Sequence, residues 1–421
     1  IFHTRGAGTD LTITGVTIRD GDLGMSGERG AGIHVEADTT LVLSDAIVTS
    51  NTSIANGGGG IFNLGAMTLQ RVDVTDNVSD CCGGIWHDGG TATLTDVLVA
   101  RNSATNSNDS GGIFNDATMT LERVAIIGND AEFAGGLGGG NPGASLTATN
   151  VTISGNSATD SAGGFSSEQG AVTLNNVTIT SNVSDSDGDG TGDGGGIYES
   201  QSPPEATIRN TIIAGNTDRG GEVPDCGQDM DGAFISGGHN LIGSTVGCTF
   251  TPSTGDLLNV DPMLGALADN GGFTMTHALL TGSPAIDAAG SNAAPTDQRG
   301  LPRNPDIGAY ELVLCKKVPI NRIGTVGNDV LTGTSGPDGF FAQDGNDKAT
   351  GLGGNDAACM GAGKDTASGG GGKDTLLGEA GKDKLKGQGG KDVMKGGPGK
   401  DSCVGGGGKD KAACETERKV P

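Results

Sequence analysis

Lysine is missing from the first 312 residues of this 421-residue chain, although 37 aspartates and glutamates and 10 arginines stand there, a net charge of −27. A segment so acidic repels phosphate backbones and anionic bilayers, which argues against nucleic acid and membrane surfaces as partners. Aromatics are scarce at 3%, and hydrophobic residues reach only 34%. So little apolar material excludes a thick globular core and suits an elongated fold with a thin one. No apolar run approaches the roughly 18 residues of a membrane span. No stretch carries the 3.6-residue period of a long amphipathic helix. The chain opens inside a strand pattern, "IFHTRGAGTDLTITGVTIRDG", so the start reads as a point past any leader.

What is present in excess is glycine, 80 residues, without a collagen period of three. Several of the eight cysteines sit in small, turn-rich contexts, which points to an oxidising, extracellular or cell-surface location. Residues 313–421 reverse the charge, with 16 lysines and arginines against 14 acids. The switch places a domain boundary near Glu311–Lys317.

An internal repeat fills the first block. "MTLQRVDVTDN", "ATLTDVLVARN", "MTLERVAIIGN", "LTATNVTISGN", "VTLNNVTITSN" and "ATIRNTIIAGN" each alternate apolar and polar residues and end in asparagine. Those asparagines, with Asn51 before them, are Asn77, Asn102, Asn129, Asn156, Asn182 and Asn216, spaced by 26, 25, 27, 27, 26 and 34 residues. The alternation with β-branched enrichment predicts strands. A second, glycine-led strand precedes each, as in "GGGIFN", "GGIWHD" and "GGIFND". The reading is all-β: a right-handed parallel β-helix of about 26 residues per coil, its asparagines stacked in a ladder.

Stacking also predicts a column after the isoleucine of the short strand: Phe2, His34, Phe62, Trp86, Phe114, Gly138, Ser166 and Tyr198, with His3, Val35, Asn63, His87, Asn115 and Glu199 beside it. If isoleucine points inward, Phe62, Trp86 and Phe114 form an apolar strip suited to a glycan or a protein partner. The competing expectation packs these rings in the core or under a loop. For catalysis, a hydrolase needs paired carboxylates. Asp88 and Asp116 on adjacent coils beside His87 are the best pair, and they serve equally as turn residues. The block has no lysine, and its scattered arginines make a poor base for an eliminase. "SDSDGDGTGDGGG" carries Asp185, Asp187, Asp189 and Asp193 at calcium-loop spacing. The twelfth position is Gly196, so the bidentate glutamate of that pattern is missing.

From Asp225 the pattern changes. "GHNLIG", "GSPAID", "DQRG" and "DIGAYE" together resemble the terminal part of secreted bacterial β-helix proteins of the choice-of-anchor Q type, over about residues 140–312. The resemblance implies a Cys226–Cys248 disulfide and a surface-associated protein. It supplies no activity.

The second block is ten nonapeptides in register from Gly324, GTVGNDVLT through GGGGKDKAA. Glycine fills the fourth place and aspartate the sixth in all ten: Asp329, Asp338, Asp347, Asp356, Asp365, Asp374, Asp383, Asp392, Asp401 and Asp410. This resembles the RTX calcium-binding repeat G-G-x-G-x-D-x-U-x. The resemblance implies a parallel β-roll in which alternate aspartates stack along two edges and calcium relieves their repulsion. The inward residues, from Leu331 to Ala412, make a thin core that is marginal without metal. The fifth place is lysine in the last six repeats, Lys364 to Lys409, where the pattern prefers Asn or Asp. Either the lysines point to solvent and calcium still binds, or their ammonium groups partly replace it. Cys403 and Cys414 are expected to clamp the last repeat. Cys315 and Cys359 can pair across the start of the roll, and the adjacent Cys81 and Cys82 have no obvious partner.

The expected layout is β-helix coils over 1–217, a terminal β-helix region over 218–312, a linker over 313–323, the roll over 324–414 and a tail over 415–421. The expected function is an extracellular, calcium-binding surface or matrix protein without enzymatic activity, meeting a glycan or protein partner. The alternatives are a β-helix polysaccharide lyase or glycoside hydrolase carrying the roll as a folding or secretion module, and a rod that self-assembles into fibres.

Overall fold

The computed structural model describes residues 2–24, 29–54, 57–105, 110–168, 170–200, 206–221, 223–228 and 234–418. The fold is all-β, a parallel β-helix with RTX-type repeats at its C-terminal side, and the described residues contain no helix. The chain divides into two compact units, residues 1–268 with 273–311, and residues 269–272 with 312–421.

In the first unit, nine short strands from Phe2–Thr4 to Cys226–Gln228 stack in parallel into one sheet. Ten-residue stretches such as Ala66–Thr75 and Thr91–Ala100 stack into a second. Two-residue strands, Thr52–Ser53 through Thr217–Asp218, form a third. In these three sheets each strand pairs with the equivalent strand of the neighbouring coil, so the coils cover one another's edges, while Leu264–Ala268 and Thr276–Leu279 form a separate antiparallel pair.

The ten-residue stretches are not straight. Met67 and Leu69 face the core, then Val72 and Val74, so the alternation slips by one. The slip falls on Arg71, whose φ is +52°. Asp45, Asp96, Arg123, Asn150, Asn176 and Asn210 take the same left-handed conformation at the same corner. Aspartate and asparagine tolerate it best. The two arginines are compensated by bidentate pairs: Arg71 donates to Asp45 at 2.6 and 2.8 Å, and Arg123 to Asp96 at 2.7 and 2.9 Å.

The asparagine ladder forms as the spacing implies. The Oδ1 of Asn129 accepts from the backbone N–H and Nδ2 of Asn102 at 2.9 and 3.0 Å, and its Nδ2 donates to Val99 O and Asn156 Oδ1 at 3.1 and 2.9 Å. The ladder ends on Asp225, whose carboxylate accepts from Asn216. Burial pushes that carboxyl above its ordinary range.

Residues 283–311 dock on the long-strand sheet. Where they dock, the charged corner residues give way to Asn150, Asn176 and Asn210. Ala294 N–H donates to Asn176 Oδ1 and Gly290 N–H to Asn210 Oδ1, each at 2.8 Å. Buried Gln298 accepts from Thr152 Oγ1 at 2.7 Å. Arg299 sits fully buried against Asp297 at 2.8 Å, over the Tyr310 ring at 3.8 Å. Glu311 accepts from the backbone N–H groups of Asn304 and Asp306. Burial raises its carboxyl to about 7.

The second unit is a roll of 18-residue coils. Val330–Thr332, Lys348–Thr350, Thr366–Gly372, Lys384–Gly390 and Ser402–Gly407 stack on one face. Gly339–Phe341, Ala357–Cys359, Thr375–Leu377, Val393–Lys395 and Lys411–Ala413 stack on the other. Between them lies a core of Phe340, Ala349, Ala358, Ala367, Leu376, Leu385, Met394 and Cys403, with Leu331 and Ala412 half-buried at its ends. Disulfides join Cys81 to Cys82, Cys226 to Cys248, Cys315 to Cys359 and Cys403 to Cys414.

Candidate metal centre and aromatic wall

Two carboxylate ladders run along the edges of the roll. On one edge the Oδ1 of Asp347 accepts the backbone N–H of Asp329, Asp365 that of Asp347, and Asp383 that of Asp365, at 2.8 to 2.9 Å. Asp401 continues the series and Glu415 closes it, its Oε2 2.7 Å from Asp401 N. On the other edge the same bonds link Asp338, Asp356, Asp374, Asp392 and Asp410 at 2.8 to 3.0 Å.

One oxygen of each carboxylate after the first on each edge is thereby used. The other, Oδ2, is buried without a hydrogen-bond partner in Asp347, Asp356, Asp365, Asp374, Asp383, Asp392 and Asp401. Burial pushes the carboxyls of Asp356 and Asp365 up to about 6 and raises those of Asp347, Asp374, Asp383 and Asp392. Neighbouring aspartates add to the rise. A buried, unpartnered carboxylate oxygen is costly. A hard cation that takes oxygen ligands supplies the missing partner. The space is kept open by glycine: a Cβ at Gly351, Gly369, Gly378, Gly387 or Gly396 would collide with the carboxylate of its own repeat. The donor set fits calcium.

The lysines do not fill that role. Lys364, Lys373, Lys382, Lys391, Lys400 and Lys409 are exposed while the neighbouring Asp365, Asp374, Asp383, Asp392 and Asp401 are buried. Neighbouring side chains point to opposite sides of an extended chain. Among the described residues no lysine forms an ion pair with a carboxylate.

In the acidic loop, oxygens of Asp185, Asp187 and Asp189 lie within 4.8 Å of one another. Asp193 is not in that group; its N–H donates to Ser161 Oγ at 3.1 Å. Asp185 is fully buried, and its Oδ1 accepts from the N–H of Asp189 at 2.9 Å.

On the β-helix, the column after the isoleucine starts one residue later than the spacing suggests. His3, not Phe2, pairs with His34, and Phe2 heads the inward column above Ile33. The first coil therefore contributes Thr4, not His3, to the next column. The rings form a ladder: His3 stacks on His34 at 4.2 Å, and His34, Phe62 and Trp86 follow edge to face at 5.1 and 5.0 Å. Phe62 is only 1% exposed, whereas Trp86 and Phe114 are half-buried. Arg29 covers the strip, its guanidinium 5.0 Å from the Phe62 ring and 4.6 Å from Trp86, and reaches Asp88 at 3.4 Å. Sequence spacing gave no sign of Arg29, because its loop lies outside the repeat.

Burial and the charge of Asp116 raise the Asp88 carboxyl, against the pull of Arg29. Asp116 accepts the N–H of Gly140 at 3.3 Å. His87 is fully buried, with Asn63 Nδ2 at 2.8 Å from Nδ1 and Thr118 O at 3.1 Å from Nε2. Both ring nitrogens are committed, and burial lowers the imidazole's pKa below its ordinary value. A further pair that no motif announced joins Ser154 Oγ to His277 Nε2 at 2.8 Å, with His277 Nδ1 2.8 Å from Gly265 O.

Residues 323–357, 361–385 and 377–412 match the RTX calcium-binding nonapeptide repeat, in four copies. RTX nonapeptide repeats bind calcium, and the matched residues all lie in the second unit. No curated protein matches the chain. No helix among the described residues is long and apolar enough to cross a membrane.

Proposed function

We propose that the chain is an extracellular surface or matrix protein, non-enzymatic, in which a calcium-filled roll accompanies a β-helix that meets a glycan or protein partner at its aromatic wall. The observation that carries the binding role is the partly exposed Trp86, whose ring lies under the Arg29 guanidinium that also reaches Asp88. Its indole N–H is buried without an acceptor among the described residues. Phe62 is buried and offers no face, so the contact surface is the exposed part of Trp86 with the Arg29–Asp88 pair over it, which suits the hydroxyls of a glycan or a polar partner surface. The fully committed nitrogens of His87 speak against its use as a base, and the absence of lysine from residues 1–312 speaks against an eliminase there. We also infer that residues 218–312 are of the choice-of-anchor Q type. In support, Gln298, Arg299, Asp306 and Glu311 of its signature phrases are all buried in the docked segment.

The test is retention of the full chain on a panel of immobilised polysaccharides in calcium, with Trp86→Ala as the comparison. Retention lost on Trp86→Ala supports the binding role. Release of unsaturated or reducing sugars, lost on Asp88→Asn or Asp116→Asn, would instead establish the enzyme reading. Neither retention nor release, together with concentration-dependent fibres, would favour the structural rod.

A further inference from the structure

The ten nonapeptides are not equivalent. The first two, GTVGNDVLT and GTSGPDGFF, carry threonine in second place, and none of the other eight does. Thr325 donates to Asp329 Oδ2 from its backbone N–H at 2.6 Å and from Oγ1 at 3.0 Å. Thr334 does the same to Asp338 Oδ2, at 2.6 and 2.9 Å. Each threonine Oγ1 also accepts the N–H of the fourth-place glycine, Gly327 or Gly336, at 3.1 Å. The oxygen that is unpartnered in the seven carboxylates described above is therefore doubly bonded here. On Asp338 the other oxygen is occupied as well, by Asn321 Nδ2 at 3.1 Å and the Arg322 guanidinium at 3.5 Å.

The backbone differs too. The second-place residue is left-handed in the eight later repeats. Gln343, Leu352, Glu379 and Gln388 hold φ of 72°, 74°, 67° and 74°, and glycine fills the place in the other four. Thr325 and Thr334 keep ordinary negative φ. Left-handed φ strains a non-glycine residue, because its Cβ crowds the following carbonyl oxygen. Such strain persists where surrounding structure enforces it, commonly at ligand clamps. A β-branched threonine resists that conformation most. Sequence, backbone and hydrogen bonding thus separate the same two repeats from the other eight.

We propose that the first two nonapeptides form a metal-independent cap, closed by Thr325 and Thr334, and that calcium is held only from the third repeat onward. The cap gives the roll a folded edge on which the calcium-dependent turns stack. This rests on the calcium reading of the roll and adds to it which repeats carry the ion.

The experiment counts calcium bound per full-length chain by equilibrium dialysis and elemental analysis. It also follows hydrogen exchange of roll peptides in chelator. The Asp329→Asn/Asp338→Asn variant keeps the side-chain shape and is expected to bind the wild-type number of ions. Asp365→Asn/Asp374→Asn is expected to bind at least one fewer. Thr325→Gly/Thr334→Gly frees the turns and is expected to speed exchange of the first two repeats in chelator, leaving the ion number equal or higher. A lower ion count in the Asp329/Asp338 variant, with native exchange elsewhere, overturns the cap while leaving the calcium reading intact. A wild-type chain that binds no calcium overturns both.

Discussion

Asp365→Asn separates the electrostatic cost of the ladder from its metal role, because the two effects have opposite signs. The Asp365 carboxyl is 1% exposed and rises from 3.8 to about 6, chiefly through burial. A folded-state value above the unfolded one adds stability that is complete below about pH 4 and lost as pH rises through about 6. At pH 7.5 the folded, metal-free roll therefore carries a disfavoured charge. Two units correspond to about 3 kcal/mol at most, and solvent relaxation at the roll edge lowers that to about 1–3 kcal/mol. Asparagine removes the charge and keeps an Oδ1 to accept the N–H of Asp347, now at 2.8 Å. Exchange of amides around 357–377 in chelator at pH 7.5 is expected to slow by about 5- to 150-fold in the variant. In saturating calcium the sign reverses, since the variant has lost a ligand, and exchange is faster than wild type. Wild-type protection in chelator should itself rise from pH 7.5 to pH 5, while calcium affinity falls over the same interval. Faster exchange of the variant in chelator as well as in calcium would refute the cost of the buried carboxylate. No difference in calcium would mean the lysines carry the charge balance after all.

Asn129→Ala deletes four buried side-chain hydrogen bonds and should cost about 3–4 kcal/mol, read as a lower midpoint in urea unfolding of the β-helix. Arg299→Ala leaves Asp297 buried without its ion pair, a loss of about 3–5 kcal/mol. It should expose residues 283–311 to limited proteolysis without calcium dependence. Cys315→Ser/Cys359→Ser opens a loop spanning 44 residues and should lower roll stability by about 4 kcal/mol in chelator, measured by the same exchange.

Periodicity made much of this protein readable. The asparagine ladder follows from spacing alone, and the inward residues from Leu331 to Ala412 and the stacking of alternate aspartates follow from spacing together with the resemblance to the RTX repeat. In a stack each residue meets its equivalent one coil away, so a fixed period in the chain becomes a fixed neighbour in space. The exposure of the six lysines follows from the same logic, since each adjoins an inward aspartate. Reading fails where the period is interrupted. The residues ahead of the first full coil offer no second copy to align, and Phe2 took the place that belongs to His3. The straight alternation of "MTLQRVDVTDN" hides a left-handed corner at Arg71, because φ is set by how the coil must close.

The sequence by itself determined an all-β stack, its two repeat lengths, the charge division and the periodic aspartates of the roll. Only the tertiary structure decided which oxygen of each aspartate is already bonded, that Thr325 and Thr334 close the first two turns, that Arg29 lies over Trp86, and that residues 283–311 cover the asparagine side of the long sheet. Those contacts join residues outside the repeat period, residues within a single turn, or atoms within one residue. Their partners are fixed by coil closure and burial, which no spacing along the chain records.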